Sequence, residues 1–193
     1  MPPLSRQPVR RRARRAEIEK RLLEATVELL GRGESLAELR IEDIAELAGI
    51  SRSGFYVYFE DKRELLLRLI EETAAPLVER VEEAAGGVPS GPDAAAKSIY
   101  DGFALARANA PVLLAATQAA AYDEVIAGRI GQLTNHFIDA VAARIAGQQR
   151  DGAILPGEPR ALATVLVTMV TTSWMRQLAG ATNLDDRQLL DAL

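Results

Sequence analysis

Catalysis and metal binding need particular side chains at particular spacings, and this 193-residue chain holds few such groupings. It has no cysteine, which removes thiol nucleophiles, Cys-ligated metals and disulfide frameworks together. The single histidine, His136, has only Asp139 at i+3 beside it, a pair without a third ligand, so neither a metal nor a cofactor is expected. Phosphate-cradling glycine loops, G-x-S-x-G, H-E-x-x-H and a Ser/His/Asp grouping are all missing, so an enzyme is not expected. The residues that do form a chemical pattern are cationic and aromatic. Arg10, Arg11, Arg12, Arg14 and Arg15 lie in RRRARR, and farther on runs Ser51-Arg52-Ser53-Gly54-Phe55-Tyr56-Val57-Tyr58. Guanidinium forks, hydroxyls and a glycine that permits close approach suit non-covalent contact with a polyanion such as DNA.

The charge distribution agrees. Residues 1–21 carry eight Lys/Arg and two Glu, and residues 71–193 carry nine basic and fifteen acidic side chains, within a chain of net charge −4. A basic end on an acidic body offers one end only to nucleic acid. With 48% hydrophobic and 26% charged residues the chain is long enough to bury a real core, as one domain or two small ones. The stretch 161–175 is free of charge but shorter than the roughly 20 apolar residues of a membrane span, and it carries four Thr. RRRARR leads straight into EIEKR with no apolar segment, so no export signal is expected. With no cysteine, the reading is cytoplasmic.

The elements that must position these residues are all helical. Residues 1–15, with three Pro, six Arg and no acid, read as a flexible basic arm. From Ile18 to Leu30 apolar residues recur at three- and four-residue spacing and stop at Gly31 and Gly33. Ile41, Ile44, Ala45 and Ala48 make one face of a brief second helix ended by Gly49. Ser51 caps a third, and Asp61 caps a fourth from Lys62 to about Ala85. GGVPSGP at 86–92 is the clearest break. Beyond it come helical patterns near 93–108, 110–121, 123–147 and 158–179, with no strand-type alternation, so the fold class is all-α.

Two short helices joined at AGIS behind a basic arm meet the requirements of a helix-turn-helix. Ala45 is small where helices cross, Gly49 takes the turn, Ile50 and Phe55 form a small core, and Arg52, Ser53, Gly54, Tyr56, Val57 and Tyr58 remain outside. The run Ile41 to Leu65, with D-I-A, A-G-I-S, F-Y-V-Y-F and K-R-E-L, resembles the TetR family of bacterial transcriptional repressors. The resemblance implies an N-terminal DNA-binding domain over 16–60 with Ser51 to Tyr58 as recognition helix. It implies that Tyr56 and Lys62 touch backbone phosphates while Arg52, Ser53, Gly54 and Tyr58 face the major groove. Arg40 departs from the Ser or Thr that caps helix 2 in many relatives; either another residue caps, or Arg40 reaches a phosphate. The segment LATVLVTMVTTSWMRQLAG is similar to the subgroup that contains the ethionamide-resistance repressor.

The resemblance further implies a dimeric, ligand-responsive repressor whose residues 61–193 form a linking helix and a regulatory, dimerising body. The 158–179 helix is apolar around most of its circumference and must be covered on more than one side. Leu166, Val170 and Leu178 are expected at the dimer interface. A mainly apolar effector is expected among Ile99, Tyr100 and Phe103, Leu113 and Thr117, Leu133 and Phe137, and Thr168, Met169, Thr172 and Trp174, with no charged residue lining the site. The competing class is a helical adaptor that offers its aromatic helix to a protein partner. The chain ends at Asp191-Ala192-Leu193, one short turn or two into a helix begun near Asp185.

Overall fold

Leu22, Leu23, Leu29 and Leu30 put an apolar stripe on the first helix that is buried almost completely. The computed structural model describes residues 7–85, 92–152, 156–182 and 188; the expected break at 86–92 and the terminal helix from Asp185 fall almost wholly outside the described residues. Within them the secondary structure consists of eight helices: α1 Gln7–Gly31, α2 Ile41–Leu47, α3 Arg52–Phe55, α4 Lys62–Ala85, α5 Pro92–Ala108, α6 Ala110–Ala120, α7 Glu124–Arg150 and α8 Pro159–Leu178. No described helix is long and apolar enough to cross a membrane.

The chain divides into two units, Met1–Leu69 and Ile70–Leu193. The division falls inside α4, beyond the boundary expected at residue 60, because Leu65, Leu66 and Leu69 are buried with the first unit's core. A second difference concerns the arm. Residues 7–15 belong to α1 rather than to a flexible tail. Pro8 is tolerated in a first turn, and the Arg, Ala, Glu and Lys that follow are strong helix formers, so nothing stops the helix from extending outward.

In the first unit, α2 closes with the αL ending its sequence foretells. Gly49 takes φ 69°, its N–H donates to the Glu46 carbonyl at 2.9 Å, and the Ile50 N–H reaches the Ala45 carbonyl at 2.9 Å. Arg21 of α1 donates to the Ala48 carbonyl beside it, and a Cβ at Gly49 would run into that guanidinium. Glycine is therefore favoured at this turn by its positive φ.

In the second unit α7 and α8 pack along their length around Ile138, Ile145, Ala163 and Val167, with Phe137, Val141 and Ala142 at the edge. Both helices start on carboxylate caps. Asp123 accepts from the Val125 and Ile126 N–H groups at 3.0 and 3.2 Å, and Glu158 accepts from Arg160 and Ala161. Small buried residues on α6, Ala115, Ala116 and Ala119, allow close approach of its neighbours.

Candidate functional site

Ser51, in extended conformation at φ −78° and ψ 158°, turns its hydroxyl back to accept from the Gly54 N–H at 3.1 Å and so starts α3. A Cβ at Gly54 would come within 3.3 Å of that hydroxyl oxygen, so glycine keeps the cap compact. α3 is a single turn. It ends at Phe55, and the expected recognition segment continues to Tyr58 as turns, with Val57 N–H on the Gly54 carbonyl at 3.2 Å and Tyr58 N–H on Phe55 at 2.9 Å. A glycine and four successive aromatic or β-branched residues make a poor helix, so packing decides their shape.

Phe55 and Phe59 supply that packing. Both are buried, with ring centroids 5.9 Å apart. With these two rings inside, Arg52, Ser53, Tyr56 and Val57 are left exposed, Val57 by 63%. Tyr56 meets Phe55 edge-on at 5.6 Å. Tyr58 is half-buried, and the Arg15 guanidinium lies 5.6 Å above its ring, which brings the last arginine of the RRRARR run to the recognition segment. Arg11, Arg12 and Arg14 are exposed on the same helix; the side chain of Arg10 lies outside the described residues.

Arg52 is held from two sides. Its Nε lies 3.2 Å from a carboxylate oxygen of Glu42 on α2, and a hydrogen bond with Tyr56, followed by the Glu42 charge, raises its pKa above the ordinary arginine value. No sequence motif singles out Glu42; the signal it offers is an acid in the first turn of α2 and a base in the first turn of α3, joined by a turn of fixed geometry. Arg40 occupies the N-cap of α2 at φ −95° and ψ 140° without a side-chain cap, and Glu42 and Asp43 instead complement the positive end of that helix.

The Lys62 ammonium donates to the carbonyls of Leu36, Ala37 and Leu39 at 2.7, 3.0 and 2.6 Å, and burial lowers its pKa. An ammonium has three N–H donors, and three carbonyls of the α1–α2 loop take them. Lys62 thus braces that loop in the free chain.

The expected effector site is brought together only in part. Phe103 is buried and stacks on Trp174 with centroids 5.8 Å apart, while Gly102 leaves the indole room that a Cβ would fill at 2.8 Å. The indole N–H of Trp174 is buried with no acceptor among the described residues. Ile99, Leu113 and Phe137 are half-buried. Tyr100 at 56% exposure and Met169 at 45% face outward, as do Thr117, Thr168 and Thr172, so these five do not line an interior cavity. Thr117, like Thr164 and Thr171, donates to its own helix, to the Leu113 carbonyl at 2.9 Å. Leu133 lines a different feature, an open groove of about 380 Å³ between the 71–78 stretch of α4 and α7. Glu71, Arg129 and His136 also line it, with Arg129 and Glu71 3.3 Å apart. Asp139, the expected neighbour of His136, is instead paired with Arg160 at 2.8 Å.

On α8 the faces separate. Val170 is buried within the second unit, and Leu166 and Leu178 are half-buried. Leu162, Val165 and Met169 form an exposed apolar stripe at i, i+3 and i+7, with Val165 exposed by 68%.

Comparison with known proteins follows the same division. A family model described as bacterial regulatory proteins, tetR family, matches residues 22–69, the helices just described. The HTH-type transcriptional regulator EthR of Mycolicibacterium smegmatis is 32% identical over 168 residues, covering 80% of this chain and 72% of that one. Among solved structures, FadR of Bacillus subtilis in complex with stearoyl-CoA superposes with a TM-score of 0.71 at 18% identity, covering 89% of this chain and 91% of that one. A TetR transcription regulator from Haloarcula marismortui gives 0.72 at 20% identity, with 92% of each chain covered. A capped recognition turn over two buried phenylalanines, a family model over that segment and a relative alike over most of its length lead to one conclusion: the chain belongs to the tetR family of bacterial regulatory proteins, and it is a transcriptional regulator.

Proposed function

We propose that the protein binds operator DNA as a homodimer, represses the adjoining genes and is released by a small, mainly apolar effector. The observation that carries the DNA-binding step is the exposure of Arg52, Ser53, Tyr56 and Val57 together above the buried pair Phe55 and Phe59. Large side chains held outward by a fixed core present a surface that meets a groove without rearrangement. Arg11, Arg12, Arg14 and Arg15 on α1 add the sequence-independent attraction to phosphate, with Arg40 beside them in charge if not in element.

Dimerisation runs through the Leu162, Val165 and Met169 stripe, which is self-complementary across a two-fold axis. Two recognition segments then engage successive major grooves only at a separation of about 34–36 Å or a multiple of it. The effector enters the second unit beside Phe103 and Trp174. There an apolar body with one hydrogen-bond acceptor satisfies the buried indole N–H. A chain of the same fold in complex with stearoyl-CoA supports an effector with a substantial apolar part. α4 is one continuous helix from Lys62 to Ala85, and the effector acts by favouring the conformation in which the two recognition segments miss their spacing.

The test is a mobility shift with DNA from upstream of the protein's own gene. The expected result is a shifted band that survives excess unrelated DNA and disappears when an apolar effector is added; equal retention on all DNA, or none, contradicts the proposal.

A further inference from the structure

A carboxylate on a surface that meets phosphates is a cost, because it repels the polyanion, and Glu42 is such a carboxylate. Its partner explains its presence. Glu42 stands in the first turn of α2 and Arg52 opens α3, and the contact between them is made to Arg52 Nε at 3.2 Å. A guanidinium engaged at Nε is restrained there and keeps its two terminal nitrogens for another partner. Two parallel N–H donors in one plane match the O6 and N7 acceptors that guanine shows in the major groove. Arg52 is exposed, and the N-terminal residues of a recognition helix are the ones that reach base edges.

We infer that Glu42 is a positioning residue for base reading: it orients the Arg52 guanidinium so that its terminal nitrogens recognise a guanine in each half-site. The inference rests on the operator-binding proposal above and adds to it a residue on α2 and the base that is read. Glu42 touches no base itself and acts through Arg52.

The experiment selects fragments from a pool of genomic DNA with the full-length protein and with Glu42→Ala, Glu42→Gln, Arg52→Ala and the double variant Glu42→Ala/Arg52→Ala. The wild type is expected to select a motif with a guanine that Arg52→Ala loses. Glu42→Ala is expected to cut the preference for that guanine by roughly tenfold, within the range a bidentate contact supplies, while its affinity for random DNA rises because a negative charge is gone. Glu42→Gln keeps an acceptor for Nε and is expected to retain most of the guanine preference while sharing the gain on random DNA. In the Arg52→Ala background, Glu42→Ala should leave base preference unchanged. Unaltered guanine preference in Glu42→Ala overturns the inference, and so does a base preference that Glu42→Ala changes in the absence of Arg52, since Glu42 then reads a base directly. A wild type that selects no motif overturns the operator proposal itself, an outcome distinct from both.

Discussion

The bonds of Lys62 and the exposure of Tyr56 set up opposite consequences for two residues that the family resemblance treats alike. Lys62→Ala removes a charged donor from three loop carbonyls, at a cost of about 2 kcal/mol, so thermal melting of the protein should fall by several degrees. Tyr56→Phe leaves the edge-on contact with Phe55 in place and should not change melting. Where its hydroxyl meets a phosphate, as the resemblance implies, binding to every DNA sequence should weaken by a similar factor, because a phosphate contact positions without specifying. Melting curves beside binding curves on specific and random DNA check both. A stable Lys62→Ala protein with uniformly weaker DNA binding would return Lys62 to the phosphate role. Ser51 and Phe55 are legible in the sequence because a cap and its helix, or a ring and its turn, lie within four residues of each other. The Lys62 brace is not, because its acceptors lie 23 to 26 residues away and a carbonyl has no sequence signature.

Helices that are long and one-sided announce themselves, and α4, α7 and the 18–30 stretch of α1 can be drawn from apolar spacing and caps alone. Two elements cannot. The start of α1 is masked by its prolines and charge, although Pro8 in a first turn is compatible with helix. Because Arg10, Arg11, Arg12 and Arg14 stand on a helix, alanine at all four preserves the element while removing its charge. The slope of log affinity against log salt should then flatten by up to about 0.9 for each arginine that neutralises a phosphate, on specific and random DNA alike. An unchanged slope would make these arginines bystanders. α8 is ambiguous for a different reason: apolar residues cover nearly its whole circumference, so spacing does not say which face turns inward. Burial resolves it and separates two substitutions. Val170→Glu places a charge in the unit's own core and should unfold the protein or lower its stability by about 3 kcal/mol. Val165→Glu lies on the exposed stripe and should leave stability within about 0.5 kcal/mol while producing a monomer on sedimentation that no longer binds operator. A folded dimer of Val165→Glu would move the interface off this stripe.

At the scale of the whole molecule the chain joins a basic, DNA-facing unit to an acidic body, and coupling between them requires the effector to favour one of two states by its own differential affinity. Trp174 is the sole tryptophan and stacks on Phe103, so it reports directly on the proposed effector site. Apolar compounds that release the protein from DNA should change its emission; release with constant emission would place the sensing site elsewhere, with the charged α4–α7 groove the next candidate. The fold class and the cap of α3 at Ser51 are legible in the sequence alone, whereas the pocket is not, because a residue that lines a cavity and one that fills a core obey the same helical spacing. The most direct test of the central claim, a dimer that reads operator DNA through its α3 segments, is selection of genomic fragments by the purified protein, with the enriched motif read for symmetry. The account predicts an inverted repeat whose half-site centres lie about 10–10.5 base pairs apart or a multiple of that; enrichment of a single unrepeated half-site, or no enrichment over random DNA, would contradict it.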